Sequence, residues 1–220
     1  MRTKRTSFTG HRPIFTGSPS IVQGGFNLDT VSQKFNVDDV IPGGTLAIYD
    51  EQSRLVKIIK TAKVMEINVN DTKIVSLHVD EFYEPVFAVG DKVLVNVTGK
   101  FTDAPSITKI EKGKGTYVVT LSAAISGLAA ENILVEVIAG KTVTPPSGSA
   151  YVEADFRGNA NAVTLRDYTV GEYETAVDVC ADTMQYMLYE RRVPPIPVAQ
   201  KDSTGNFLLA NPHVKLSKSF

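Results

Sequence analysis

The stretch Ile107-Thr108-Lys109-Ile110-Glu111-Lys112-Gly113-Lys114-Gly115-Thr116-Tyr117-Val118-Val119-Thr120-Leu121 decides the fold class. In its second half Tyr117, Val119 and Leu121 share one face. Aromatic and β-branched residues at period two read as a strand. Ile107–Glu111 is a shorter strand, and Gly113-Lys114-Gly115 between them is turn chemistry. Lys112–Gly115 is glycine-rich and basic, but it joins two strands instead of opening a helix. It therefore reads as a hairpin loop and not as a phosphate cradle.

The same pattern extends outward from Thr45 to Ala139. In Thr72–Val79, Lys73, Val75, Leu77 and Val79 fall on one face, with Ile74, Ser76 and His78 on the other. Val93, Val95 and Val97 share a face in Asp91–Val97, as do Ile133, Val135 and Val137 in Ile133–Ile138. Leu46–Tyr49, Arg54–Ile59 and Val64–Val69 are further short strands. Turn chemistry separates them: Gly43-Gly44, Asp50-Glu51, Asn70-Asp71 and Gly90-Asp91. Eight short strands at this spacing predict a small β-barrel or sandwich. Ala123–Glu131 is the one helix-like interruption, a turn or two long.

The flanks differ. The first 36 residues hold five cations against Asp29 alone, a net +4, which leaves −5 for the rest. They are punctuated by Gly, Ser, Thr and Pro, yet Phe8, Ile14, Phe15, Ile21, Val22 and Phe26 recur along them. This predicts an extended arm over residues 1–40 that lays its aromatics on a partner, or folds back on its own domain. The central β domain spans 41–141, and Pro145-Pro146-Ser147-Gly148-Ser149 makes 142–150 a hinge, because proline cannot donate to a ladder. The region 151–220 is β-rich with an extended tail. Ala162–Tyr168 and Thr175–Cys180 alternate there, Met184–Arg192 suits either helix or strand, and Val193–Pro197 reads as extended chain.

Composition excludes several functions. The 220 residues carry 23 Lys and Arg against 24 Asp and Glu, a net charge of −1, which argues against a bulk electrostatic nucleic-acid binder. At 43% hydrophobic and 21% charged the chain is not intrinsically disordered. Cys180 is the only cysteine, so no disulfide framework or cysteine-based zinc site forms within one chain. No apolar run approaches a membrane span, and the polar, basic start is not a secretory signal. The Asn70-Asp71-Thr72 and Asn96-Val97-Thr98 glycosylation patterns are read as chance.

No catalytic constellation emerges, so an enzyme, a cofactor and a metal are not expected. The acidic groups Asp38-Asp39, Asp50-Glu51 and Asp80-Glu81 with Glu84 sit beside turns, where carboxylates are common. A hydrolase would need a pair across a cleft with separated pKa values. His78 with Asp80 and Glu81 falls short of a convergent metal set. Cys180 looks like a small buried apolar group. Late in the chain Tyr168, Tyr173, Tyr186 and Tyr189 mix with Arg157, Arg166, Arg191 and Arg192. That mixture is enriched at protein contacts; the alternative is core tyrosine with exposed arginine.

Two stretches carry a resemblance. Ile41-Pro42-Gly43-Gly44-Thr45-Leu46-Ala47, followed by Val56-Lys57-Ile58-Ile59-Lys60-Thr61-Ala62-Lys63-Val64, resembles the auxiliary capsid proteins, head-decoration and head-fibre, of tailed phages of gut Bacteroides-type hosts, the crAss-like phages included. Phe87-Ala88-Val89-Gly90-Asp91-Lys92-Val93, Ile107-Thr108-Lys109-Ile110, Tyr117–Leu121 and Asn132-Ile133-Leu134-Val135 continue the likeness over about 41–138. Glu131-Asn132 departs from the Gly-Asp usual there.

The resemblance implies a non-enzymatic virion protein on the capsid exterior, assembled in the host cytoplasm. Its expected partner is the major capsid protein, with self-association or other virion proteins besides, and without membrane or direct nucleic-acid contact. Arg2, Lys4, Arg5, Phe8, Arg12, Phe15 and Phe26 are the expected clamp, and Tyr186, Tyr189, Arg191 and Arg192 a second contact. Deleting 1–36 is then expected to leave a folded core that no longer binds. Alternatives are a head-fibre anchor, a host-surface or glycan-binding module, and a neck or baseplate part.

Overall fold

The structure, a computed structural model, describes residues 13–22, 25–95, 97 and 99–219. Its strands in chain order are β1 (Phe26–Leu28), β2 (Val40–Ile41), β3 (Leu46–Asp50), β4 (Leu55–Ile58), β5 (Thr61–Ile67) and β6 (Ile74–Leu77). Next come β7 (Val93–Val95), β8 (Ile107–Gly113), β9 (Thr116–Leu121), β10 (Ile133–Glu136), β11 (Ile138–Val143) and β12 (Tyr151–Asp155). The last are β13 (Ala162–Thr164), β14 (Tyr168–Thr169), β15 (Ala176–Val177), β16 (Val179–Cys180), β17 (Leu188–Tyr189) and β18 (Leu216–Ser217). Two 3₁₀ turns, Glu190–Arg192 and Val198–Gln200, are the helical elements among the described residues. The fold is mostly β, as the alternation predicts, with one nearly closed barrel-like sheet and one half-barrel.

The barrel runs β7-β10-β5-β6-β9-β8. It closes through the Lys92↔Ser106 bridge, with Ile107 N–H donating to Asp91 O and Gly90 N–H to Ile107 O, both at 2.8 Å. Val64, Val75, Leu77, Phe87, Tyr117, Val119, Leu121 and Leu134 fill its interior. Full burial of each large aliphatic there contributes about 1.5–3 kcal/mol. The alternation read from the sequence thus points the expected faces inward. In β10 both faces are covered: Leu134 looks into the barrel, and Val135 into a separate core.

The second sheet runs β15-β1-β4-β3-β13-β16. Its two ends are consecutive in the chain. Val177 pairs with Phe26 of β1, while Cys180 pairs with Val163 of β13, so Ala176–Cys180 draws the sheet round on itself. Val177 and Val179 are both fully buried beside Phe26, Ile41, Val56 and Ile58.

This topology corrects the expected domain boundaries. The second sheet takes β1 from the arm, β3 and β4 from 41–141, and β13, β15 and β16 from the C-terminal region. The chain passes from one sheet to the other between Ile58 and Thr61. The expected hinge is a hairpin tip: β11 and β12 pair up to Val143↔Tyr151, and Pro145 and Pro146 end the ladder. Ala123–Glu131 forms turns without a helix, with Gly127 and Glu131 at positive φ. Met184–Arg192 resolves into β17 and a 3₁₀ turn. A third core of Ile14, Phe15, Leu46, Val135, Val163, Leu188, Val193, Ile196 and Leu216 joins arm, barrel and tail.

Candidate binding surface

The N-terminal arm enters the described body at Pro13, which is exposed. It then runs along the C-terminal region through the Phe15↔Leu188 and Ser20↔Asp182 bridges. Tyr189 N–H donates to Ile14 O at 2.7 Å, and Thr16 N–H to Met187 O at 2.9 Å. The Tyr186 ring packs against Gly17, where a Cβ would come within 2.1 Å of it. Only glycine leaves that space.

Arg192 organises the surface end of this contact. Its Nη1 donates to Pro13 O at 2.8 Å. Its guanidinium stands 4.4 Å from the Tyr189 ring centre and 5.7 Å from that of Phe82. Cation–π contacts of this kind contribute about 0.5–1 kcal/mol at exposed sites. Arg191 is exposed next to it. The four C-terminal residues expected at a contact, Tyr186, Tyr189, Arg191 and Arg192, therefore gather on one rim with the root of the arm.

The expected clamp divides. Arg2, Lys4, Arg5, Phe8 and Arg12 lie outside the described residues. Phe15 and Phe26 are buried in this chain's own cores, which corrects their expected role as partner-facing rings. The Phe26 ring sits 5.1 Å from that of Tyr49 and carries the Arg54 guanidinium at 4.3 Å. Two aromatics this deep are anchors of the arm's root. Removing 1–36 takes both of them, and β1, out of these cores.

The other candidates are structural. Asp80 caps its turn by accepting Phe82 N–H at 2.7 Å and Tyr83 N–H at 3.0 Å. Asp50 does the same for Gln52 N–H, a bond that holds its carboxyl below the usual range. His78 Nδ1 lies 4.0 Å from Asp80 Oδ2. Among the described residues no group of three or more His, Cys, Asp or Glu could hold a metal. Burial pushes the Cys180 thiol up to about 11, which leaves it inert at neutral pH. Tyr168 is a core tyrosine, with Asp178 N–H donating to its hydroxyl at 3.0 Å. Among the described residues no helix is long and apolar enough to cross a membrane.

The most charged interior feature is a junction absent from the expectations. Lys60 and Asp91 pair at 2.7 Å, with 0% and 3% of their side chains exposed. Lys60 also donates to the Lys34 carbonyl and stands 4.5 Å from the Phe35 ring centre. Nearby, Arg157 forks onto both oxygens of buried Glu136 and donates to Ser32 O at 2.9 Å. Gln33 donates to Ile58 O and accepts Ile58 N–H, both at 2.7 Å. The junction ties the arm, the sheet crossing and the barrel together. Its signal in the sequence was parity: Val56, Ile58, Lys60, Ala62 and Val64 are all fully buried, so Lys60 occupies an inward position in an apolar series.

In comparisons with known proteins, no family model matches this chain, and neither does any curated protein or solved structure.

Proposed function

We propose that this chain is a structural virion protein that decorates or cements a phage capsid by binding the outer surface of the shell, with the major capsid protein as its main partner. One juxtaposition carries the reading. The basic stretch holding Arg2, Lys4, Arg5 and Arg12 has no acidic residue and joins the body at Pro13, beside Tyr189, Arg191 and Arg192. Cations and aromatics at one rim suit an acidic protein surface with apolar grooves. Each exposed ion pair adds about 0.2–1 kcal/mol and weakens with salt, so several must act together. Phe8 supplies apolar area at about 25 cal/mol per Å² buried.

A clamp under load must be fastened at its own end. Phe15, Phe26 and the strand pairing of β1 provide that fastening, so tension on residues 1–12 is carried into two cores.

The test is quantitative mass spectrometry of purified particles, scored against the major capsid protein, followed by removal of residues 1–12. Hundreds of copies per particle, with a folded truncation that no longer binds, is the expected result. A dozen or so copies would move the protein to a vertex fibre, neck or baseplate. Absence from the particle, or full binding by the truncation, would overturn the proposal.

A further inference from the structure

Beyond the barrel's closure, the outer edge of β8 is open among the described residues. Ile107 is the last residue of β8 to bond outward, to Gly90 and Asp91. From Thr108 onward the strand pairs on one side only, with β9. Gly113 and Thr116 flank a two-residue loop and bond to each other, so alternation turns the N–H and C=O of Lys112 and Ile110 away from β9. Among the described residues no other backbone group bonds to them. Thr108, Lys109, Glu111, Lys112 and Gly113 are exposed.

An open edge is a template for another strand. Lysines on it usually discourage pairing, but here each is balanced. Lys109 and Glu111 project from the same face and already pair with each other at 2.5 Å. The segment Thr108-Lys109-Ile110-Glu111-Lys112 is self-complementary about Ile110. In an antiparallel two-fold pairing centred there, Ile110 meets Ile110, and Lys109 of each chain faces Glu111 of the other. Ile110 exchanges both of its outward backbone bonds with its symmetry mate. Centring on Lys109 or on Glu111 is disfavoured by charge. It sets like charges face to face, Lys109 on Lys109 or Glu111 on Glu111, and it takes Ile110 off the two-fold axis.

We propose that the outer edge of β8 is an interface with a second copy of this chain, formed by two-fold antiparallel pairing centred on Ile110. The pairing joins two barrels into one continuous sheet, an isologous contact of the kind closed dimers use. A five-residue edge buries little area, so the dimer is weak in solution and concentration-dependent. Crowding at any shared surface would strengthen it by raising the effective concentration. The inference does not rest on the capsid reading, and its test needs no particle.

Sedimentation of the full chain across a concentration series reads the association directly. The parent should dimerise, and more weakly as salt rises. Lys109→Glu alone places acid opposite acid at both symmetric contacts, and Glu111→Lys alone places base opposite base. Each should weaken the dimer at least about ten-fold. An equimolar mixture of the two variants restores opposite charges at both contacts and should form a one-to-one heterodimer. Both side chains are exposed, and the restored heterodimer itself requires both chains to be folded. A parent that stays monomeric throughout, variants that dimerise as well as the parent, or a mixture that restores nothing would each overturn the proposal.

Discussion

Replacing Lys60 by Met tests how the buried junction holds the molecule together. The ammonium is fully buried, 2.7 Å from Asp91 and over the Phe35 ring. Met has similar reach and adapts to the same space, so the change is mainly electrical. Asp91 is left with Ala88 N–H, which it accepts at 2.8 Å, and no cation. Breaking a buried pair by removing one partner costs about 3–5 kcal/mol. In a chain of this size each kcal/mol moves Tm by roughly 2–4 °C, which gives a fall of about 6–20 °C near pH 8.

The pH dependence has a definite sign. Burial already raises Asp91 above the ordinary carboxyl range, against the lowering pull of Lys60. Without Lys60 it rises further, so the folded chain keeps a proton that the unfolded chain has released. Stability then falls as pH rises through the raised value, and is regained as pH falls toward the ordinary carboxyl range. The deficit should be smaller near pH 5 than near pH 8. Thermal and urea unfolding of the full chain at both pH values reads this. A Lys60→Met/Asp91→Asn chain should recover most of the loss, because no buried charge is left without its partner. A Lys60→Met chain as stable as the parent near pH 8, or with the same deficit at both pH values, refutes the reasoning.

Two further outcomes follow from single sites. Gly44 sits at φ +79°, and a Cβ there would come within 2.2 Å of Val193 Cγ1, whereas Gly115 at φ +75° has nothing within 4 Å. Gly44→Ala should cost about 2–5 kcal/mol from backbone strain and overpacking together, and Gly115→Ala about 1–2 kcal/mol from strain alone; equal losses on urea unfolding would contradict the packing argument. Cys180, raised to about 11, should resist a thiol reagent at neutral pH until the chain unfolds, and labelling of the native protein at the rate of a free thiol would contradict its burial. The folded chain holds this proton where the unfolded chain gives it up, so the thiol's contribution to stability declines between its ordinary value near 9 and about 11.

The strands themselves were legible in the sequence, because a half-buried strand must alternate and its ends need turn residues. Tyr117, Val119 and Leu121 face inward as their period requires, and Gly113-Lys114-Gly115 lies at the hairpin as its chemistry requires. The carboxylates beside turns were equally legible, since Asp50 and Asp80 bond to the nearest backbone N–H groups. What alternation cannot express is the identity of a strand's neighbour. Phe26↔Val177 and Ala47↔Ala162 join residues more than a hundred positions apart, and nothing local in either partner names the other. Tertiary packing therefore decided that Phe15 and Phe26 are anchors and not clamps. It decided that a hinge composition is a hairpin tip, and that β3 and β4 leave the barrel for a sheet shared with both flanks. It also decided the fate of Lys60. Its inward parity could be read from the sequence. Whether a buried ammonium is tolerated depends on a carboxylate 31 positions away arriving within 2.7 Å, which only the assembled cores supply.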